Sequence, residues 1–166
     1  MKKAVWSGVL AAAVVALCST PAFAQATATG SVTVTATVSA KAKLTLGAAS
    51  VTFNDADPDV TPLLSATAAL TVDVKARTAA ASTVTLTVQS GGDLDNGSAT
   101  IAINNLTWTA SGTSFVAGTM DSTASTRASY TGGGNYSGSQ TYRLVNSWGY
   151  ATGTYTATIT YTLTAP

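Results

Sequence analysis

The sequence predicts an all-β protein, folded as an antiparallel β-sandwich. Apolar and hydroxyl residues alternate in several segments, and a period of two places successive side chains on opposite faces of a strand. Turn residues separate these segments at short, regular intervals. After residue 24 no segment shows the 3.6-residue period of an amphipathic helix. The abundant threonine fits this fold, because a β-branched polar residue suits the solvated face of an antiparallel sheet.

The N-terminus has the pattern of a secretory signal peptide. Lys2 and Lys3 supply the positive charge, and Ala4 to Leu17 is an apolar run too short and too rich in alanine for a good membrane span. Ala22-Phe23-Ala24 is an A-x-A cleavage motif. We therefore expect residues 1–24 to be removed and the mature chain to begin at Gln25.

A lipoprotein signal is the alternative for this segment, with Cys18 as the lipidated residue. That motif needs a small residue before the cysteine, and Leu17 is not small. The signal-peptide interpretation predicts export through the secretory pathway to the periplasm, the cell surface or the extracellular space, with no stable membrane span after cleavage.

The composition of the mature chain excludes several classes of function. Cys18 leaves with the signal, and the remaining sequence contains no Cys, His or Glu, which removes the common general bases, thiol nucleophiles and zinc ligands. Six Lys and Arg face seven Asp, so the mature net charge is −1 and no basic field exists for nucleic acid or anionic lipid. We therefore expect no enzyme activity and no cofactor.

The segment Gly30 to Ser39 has the clearest alternation in the chain. Its hydroxyl residues occupy one face of the predicted strand. The apolar face consists of Val32, Val34, Ala36 and Val38. Two interpretations stay open: residues 25–39 are an ordinary first strand of a closed sandwich, or an N-terminal extension that pairs with a neighbouring molecule, with residues 40–166 forming the sandwich domain.

The next segments predict short strands joined by turns. Lys43–Leu46 and Ser50–Phe53 flank a turn at Gly47, and a loop of Asx and Pro residues follows at 54–62. Two alternating strands are predicted at Leu70–Lys75 and Ser82–Gln89.

The second half of the chain is less regular. The register of Ala99 to Ala110 shifts by one residue at Asn104-Asn105, which indicates a bulge or tight bend. Asp121 to Ser139 is rich in Ser, Thr and Gly, and we expect it to be the loosest part of the domain. Strands are predicted at Thr141–Val145 and Thr154–Thr164.

Taken together, these features resemble the archaic chaperone–usher pilins and the related spore coat protein U domain. The resemblance is carried by the alternating extension after the cleavage site, a short strand block with Phe53, the mid-chain strand pair, and Gly153-Thr154-Tyr155 leading into an alternating last strand. Two features depart from it. Ala40-Lys41-Ala42-Lys43 stands where the family usually has a cysteine. The spaced tryptophans Trp108 and Trp148 give a weaker similarity to WxL-type cell-wall-binding domains.

The resemblance implies an immunoglobulin-like sandwich that lacks its last strand and is completed by donor-strand exchange. The apolar face of the extension would be the donor, with the last strand bordering the acceptor groove. The acceptor candidates are Tyr155, Ala157, Ile159, Tyr161 and Leu163. The implied partners are further copies of the chain or a periplasmic chaperone, and the implied function is that of an adhesive or structural surface subunit.

Two further sets of residues are candidates for binding. Asp55, Asp57 and Asp59 resemble the start of an EF-hand calcium loop, but Val60 replaces its glycine and Ala66 its bidentate glutamate, so a solvated turn is favoured.

The exposed aromatic residues could instead stack on sugar rings, the candidates being Trp148, Tyr150 and Tyr136. A secreted module that binds cell-wall polysaccharide is therefore the alternative to the pilin-like function.

Overall fold

The structure is a computed structural model that describes residues 26–166, and Thr37–Pro166 forms one compact unit. The predicted signal peptide and its cleavage site lie outside the described residues. The all-β fold is confirmed, since within residues 26–166 the helical content is a single 3₁₀ turn at Ile103–Asn105. The strands, in chain order, are β1 Lys41–Leu46, β2 Leu63–Ser65, β3 Leu70–Arg77, β4 Thr83–Ser90, β5 Leu94–Asp95, β6 Thr100–Ile101, β7 Leu106–Ser111, β8 Gly118–Thr119, β9 Ser125–Thr131, β10 Gly134–Val145 and β11 Ile159–Thr164.

Two antiparallel sheets form the sandwich. The larger has the order β1-β3-β10-β7-β8, with β2 paired to the far end of β10. The smaller has the order β11-β4-β9, and β5 and β6 form a separate two-stranded hairpin. The predicted mid-chain strand pair, β3 and β4, is therefore split between the sheets, and the two strands are joined by a short loop.

The core lies between the inner faces of the two sheets. Strands β3 and β4 show why. Their apolar residues alternate with polar ones, mainly charged in β3 and mainly threonine in β4, and the apolar set is largely buried. Trp108 and Tyr142 pack with their ring centroids 5.9 Å apart. The buried cluster comprises Leu70, Val72, Val74, Val84, Leu86, Val88, Ile103, Leu106, Trp108, Phe115, Met120, Ala128, Tyr130 and Tyr142.

The predicted bend at Asn104-Asn105 is confirmed. The 3₁₀ turn separates β6 from β7 and changes which side chains face inward, so Ile101 and Ile103 are buried before it and Leu106 and Trp108 after it.

The prediction that Asp121 to Ser139 is the loosest region is wrong. It contains β9 and the first half of β10, the twelve-residue strand at the centre of the larger sheet. Its glycines are packing residues. A Cβ on Gly138 would lie 2.4 Å from a ring carbon of Phe115 and 2.6 Å from the carbonyl oxygen of Ser111.

Two strand predictions need shortening. Ser50–Phe53 is reduced to a single bridge between Phe53 and Ala66. The last strand begins at Ile159 instead of Thr154, because Thr156 exchanges two backbone hydrogen bonds with Asp95, at 2.9 and 3.0 Å. This contact draws the chain away from β4 before the strand starts.

Residues 30–39 are not a strand in this structure. They have no assigned secondary structure, and their apolar residues are exposed, with Val32 at 89% and Val34 at 87% of full exposure. The segment therefore has no strand assignment in the single chain, and its pairing stays a prediction.

Candidate functional site

One edge of the smaller sheet is open within residues 26–166. An immunoglobulin sandwich of seven strands has one sheet in the order A-B-E-D and a second in the order G-F-C. Here β1-β3-β10-β7 follows the order A-B-E-D and β11-β4 follows F-C, while β9 pairs with the other edge of β4 as the third strand of the smaller sheet. Within residues 26–166 no strand pairs with the outer edge of β11, where strand G would lie.

The open position leaves the core incompletely covered. On this side of the sandwich, β11 of the smaller sheet faces β1 of the larger sheet. The outer edge of β1 is also unpaired within the described residues. Its inward-facing Leu44 is half-buried and Leu46 is 37% exposed. On β11, Ile159, Tyr161 and Leu163 pack against the core but stay half-buried, whereas the inward residues of the adjacent β4 are almost fully buried. An apolar strip between β1 and β11 therefore remains accessible.

The opposite side of the sandwich is closed. Arg127 on β9 places its guanidinium 4.0 Å from the ring centroid of Trp108 on β7, which bridges the two sheets. The indole nitrogen of Trp108 donates to the carbonyl oxygen of Val116 at 3.0 Å, and Val116 donates its backbone N–H to Arg127. Burial lowers the pKa of Arg127. Within the described residues, the β1–β11 side is therefore the more open of the two.

A buried polar cluster lies at the open side. The hydroxyl of Tyr161 on β11 donates to Oε1 of Gln140 and shares a hydrogen bond with the hydroxyl of Tyr142, both on β10. Gln140 has no exposed surface, and its Nε2 has no partner. Burial raises the pKa of Tyr161 and of Tyr142. This cluster ties the exposed strand of the smaller sheet to the central strand of the larger one.

We expect Tyr161→Phe to lower the free energy of unfolding by about 1–3 kcal/mol, because it leaves the buried Gln140 amide and the Tyr142 hydroxyl unpaired. Adding Gln140→Leu should recover part of that loss, since it removes the group left unsatisfied. Urea unfolding of both single variants and the double variant measures the coupling. Additive losses would show that the hydrogen bond contributes nothing to stability.

The tyrosines also predict how stability depends on alkaline pH. Burial, followed by repulsion from Tyr136, raises the pKa of Tyr130 to about 12. In the unfolded chain the pKa is about 10, so the unfolded state loses its proton first. Stability should be complete below about pH 10 and fall progressively towards pH 12. Denaturant midpoints followed together with tyrosinate absorbance test this, and Tyr130→Phe should flatten the dependence. Titration of every tyrosine near pH 10 in the folded protein would contradict it.

The acceptor candidates divide into two groups. Ile159, Tyr161 and Leu163 lie on β11 with their side chains towards the core. Tyr155 and Ala157 precede the strand. Both are half-buried, and the hydroxyl of Tyr155 donates to the carbonyl oxygen of Ala151 at 2.9 Å. The edge of β11 is therefore shorter than the sequence predicts.

A second surface feature lies at the end of β10. Trp148 is 70% exposed, and its indole nitrogen donates to a carboxylate oxygen of Asp59 at 3.1 Å. Asn146 anchors the same loop by donating to the carbonyl oxygens of Ala56 and Thr61. Trp148 is therefore an exposed ring that a hydrogen bond holds in place.

The other sugar-stacking candidates are less accessible. The ring of Tyr136 stacks on Tyr130 with centroids 3.7 Å apart, so one of its faces is covered, and Tyr150 is half-buried.

The structure does not support a calcium site. The carboxylate of Asp57 accepts a hydrogen bond from the backbone N–H of Asp59, and the carboxylate of Asp59 accepts one from the indole N–H of Trp148. The carboxylates of these two residues and Asp55 do not form a cluster that could hold a metal ion. Over residues 26–166 no cluster of three acidic, His or Cys side chains is close enough to bind an ion. In the same range, no helix has the length and apolar character needed to cross a membrane.

No protein-family model matches the chain, and no curated protein sequence is significantly similar to it.

Sequence reasoning missed two buried polar residues, one at the open side and one at the closed side. Gln140 lies between the region expected to be loose and the predicted strand Thr141–Val145, and Arg127 lies inside the region expected to be loose. Because polar residues at inward positions break the alternation, the pattern itself gave no signal for them. The role of β1 as the second border of the open side depended on sheet topology, which alternation does not provide.

Proposed function

We propose that this protein is an exported structural subunit of a surface polymer. Its sandwich is completed by the N-terminal segment of another copy. The observation that carries the proposal is the open position beside β11. The outer backbone edge of this strand is unpaired within the described residues, and its inward apolar side chains are only half-buried. A strand added there gains backbone hydrogen bonds along the edge and apolar contacts through alternate side chains.

The chain carries a segment suited to that position. Residues 30–39 alternate apolar and hydroxyl side chains, and the apolar ones are exposed. Fully burying one valine is worth about 1.5–3 kcal/mol, so Val32, Val34 and Val38 together offer several kcal/mol of unused stabilisation. Pairing with a neighbouring copy would bury these valines. It would also link the two subunits, because the donated strand would become part of the neighbour's core.

An unpaired edge is also a hazard before assembly. Exposed edges with apolar side chains promote aggregation, so the proposal implies temporary protection after export. A periplasmic chaperone that covers β11 by the same strand addition would supply it.

We expect the native protein to run as a ladder of oligomers in unheated detergent and to collapse to one band after boiling. Each shared strand leaves only when the receiving core opens, so dissociation should be slow. Electrophoresis of the purified mature protein before and after heating measures this. A monomer at all concentrations, with residues 30–39 protected from hydrogen exchange, would overturn the proposal.

A polysaccharide-binding module is the second candidate, favoured by the exposed, hydrogen-bonded ring of Trp148. Aromatic rings of this kind can stack on sugar faces. Retention of a monomer on isolated cell wall, lost in Trp148→Ala and kept in Tyr136→Phe, would support this candidate over the polymer subunit.

A further inference from the structure

The basic side chains gather at one end of the domain. In the register of β1 and β3, Lys41 lies opposite Arg77 and Lys43 opposite Lys75, and all four are exposed. Like charges directly opposite each other across two strands destabilise the pair. The net charge of the sequence indicated no basic field, but strand register gathers these four cations into one positive patch, called here the basic end. Asp73 lies on the same face of β3, two residues from Lys75, and offsets part of its charge.

Most carboxylates gather at the other end. The backbone N–H of Ser90, at the end of β4, donates to the backbone carbonyl oxygen of Asp121. Asp95 forms backbone hydrogen bonds with Thr156, just before β11. The 54–62 loop is held by Asn146, which follows the end of β10. The acidic end comprises Asp55, Asp57, Asp59, Asp93, Asp95 and Asp121.

Topology places these two groups at opposite ends. The loop after Arg77 leads directly into Thr83, so these two strand ends lie together, and Leu70 and Ser90 lie at the other end. Eight residues of extended strand span about 25 Å. This exceeds the screening length of about 8 Å at physiological salt, so the two patches act separately on their surroundings.

The remaining charges reduce this polarity only in part. Asp73 offsets one of the four cations of the basic end, and Arg127 is buried against Trp108. Arg143, near the end of β10, lies on the acidic side, where the six carboxylates outnumber it.

We propose that the basic end of one copy docks on the acidic end of the next, so that charge steers head-to-tail assembly. The inference rests on the proposed function, and the chosen occupant is a second copy because the chain itself carries both complementary patches. Complementary potentials mainly accelerate association and select the partner's orientation.

Chain connectivity agrees with this docking. The extension joins β1 at Lys41, in the basic end, and Arg77 donates its Nε–H to the carbonyl oxygen of Ser39. β11 runs from the acidic end towards the basic end. A donor segment antiparallel to β11 would therefore emerge at the acceptor's acidic end and bring its own basic end there, whereas a parallel one would juxtapose two basic ends.

The test follows the assembly rate of the full mature chain by light scattering. We expect the rate to fall about tenfold or more as sodium chloride is raised from low to above physiological concentration. Lys75→Glu and Asp55→Lys should each slow assembly several-fold at low salt. In the variant with both substitutions, the new glutamate at the basic end of one copy meets the new lysine at the acidic end of the next. Attraction is then restored, and the double variant should recover much of the rate.

The matched control is Thr126→Glu, an exposed residue of β9 that lies opposite Thr87 in the middle of β4, so that it adds negative charge away from both ends and should leave the rate unchanged. Circular dichroism and melting curves confirm that each variant is folded. Polymers that form at a rate indifferent to salt and to both charge reversals would overturn the docking and leave the proposed function intact. Faster assembly of Lys75→Glu would overturn the stated orientation. Salt-sensitive association without detergent-resistant polymers would support the docking and count against strand exchange, whereas a strict monomer at low salt would overturn both.

Discussion

Removal of residues 25–39 from the mature chain is expected to abolish polymer formation and leave a destabilised monomer. The deletion takes away every apolar side chain of the donor segment while leaving β1 and all later strands in place. The edge of β11 and the apolar strip beside it would then have no strand to cover them.

A synthetic peptide of residues 30–39 should rescue this monomer. A ligand that binds only the folded state at a hundred times its dissociation constant stabilises it by about 2.7 kcal/mol. For a domain of this size, that raises the melting temperature by about 8 °C. Thermal melting with increasing peptide measures the effect.

The control is a peptide of the same composition in which the valines are consecutive, because it cannot present one apolar face. Equal stabilisation by both peptides, or by neither, would contradict strand complementation. A truncated protein as stable as the full mature chain would show that the open side needs no partner.

The alternation of side chains was sufficient to predict the fold class and the inner faces of β3, β4 and β11. It works there because each of these strands has one face towards the core and one solvated face, and the solvated face carries polar residues, mostly threonine in β4 and β11 and mostly charged residues in β3. The same rule correctly predicted the second half of β10, Thr141–Val145, and failed for its first half, whose glycine and serine residues indicate a loop. Gly138 is required by the close approach of Phe115, and Gly112 adopts a left-handed backbone with φ of 103° beside it. That requirement comes from tertiary packing, which a local pattern does not contain.

Only part of the candidate site was predictable from the sequence, for a similar reason. Local alternation predicted the apolar faces of residues 30–39 and of Ile159, Tyr161 and Leu163, and the resemblance supplied their proposed roles as donor and acceptor. The second border, β1, has a mostly exposed burial pattern, and its position follows from pairing with β3. The separation of charges is likewise invisible along the chain, since acidic and basic residues interleave in sequence and are sorted only by strand register.

The sharpest test of the donor face compares two adjacent substitutions. Val34→Asp should prevent polymer formation, because a carboxylate would be forced into the apolar strip between β1 and β11 without a partner, at a cost of several kcal/mol. Thr35→Asp carries the same charge on the opposite face and should cost less than about 0.5 kcal/mol, as exposed substitutions usually do.

Neither change should alter the isolated domain, since both side chains are exposed in the single chain. The pair therefore separates an effect on assembly from an effect on folding. Mixing each variant with wild-type protein and scoring the oligomer ladder in unheated detergent measures the outcome. A Val34→Asp subunit still has an intact acceptor edge, so it should receive a wild-type strand and then fail to donate its own, shortening the ladder in proportion to the amount added. If Thr35→Asp shortens the ladder as strongly, the apolar face is not the part of the segment that enters the neighbouring sandwich.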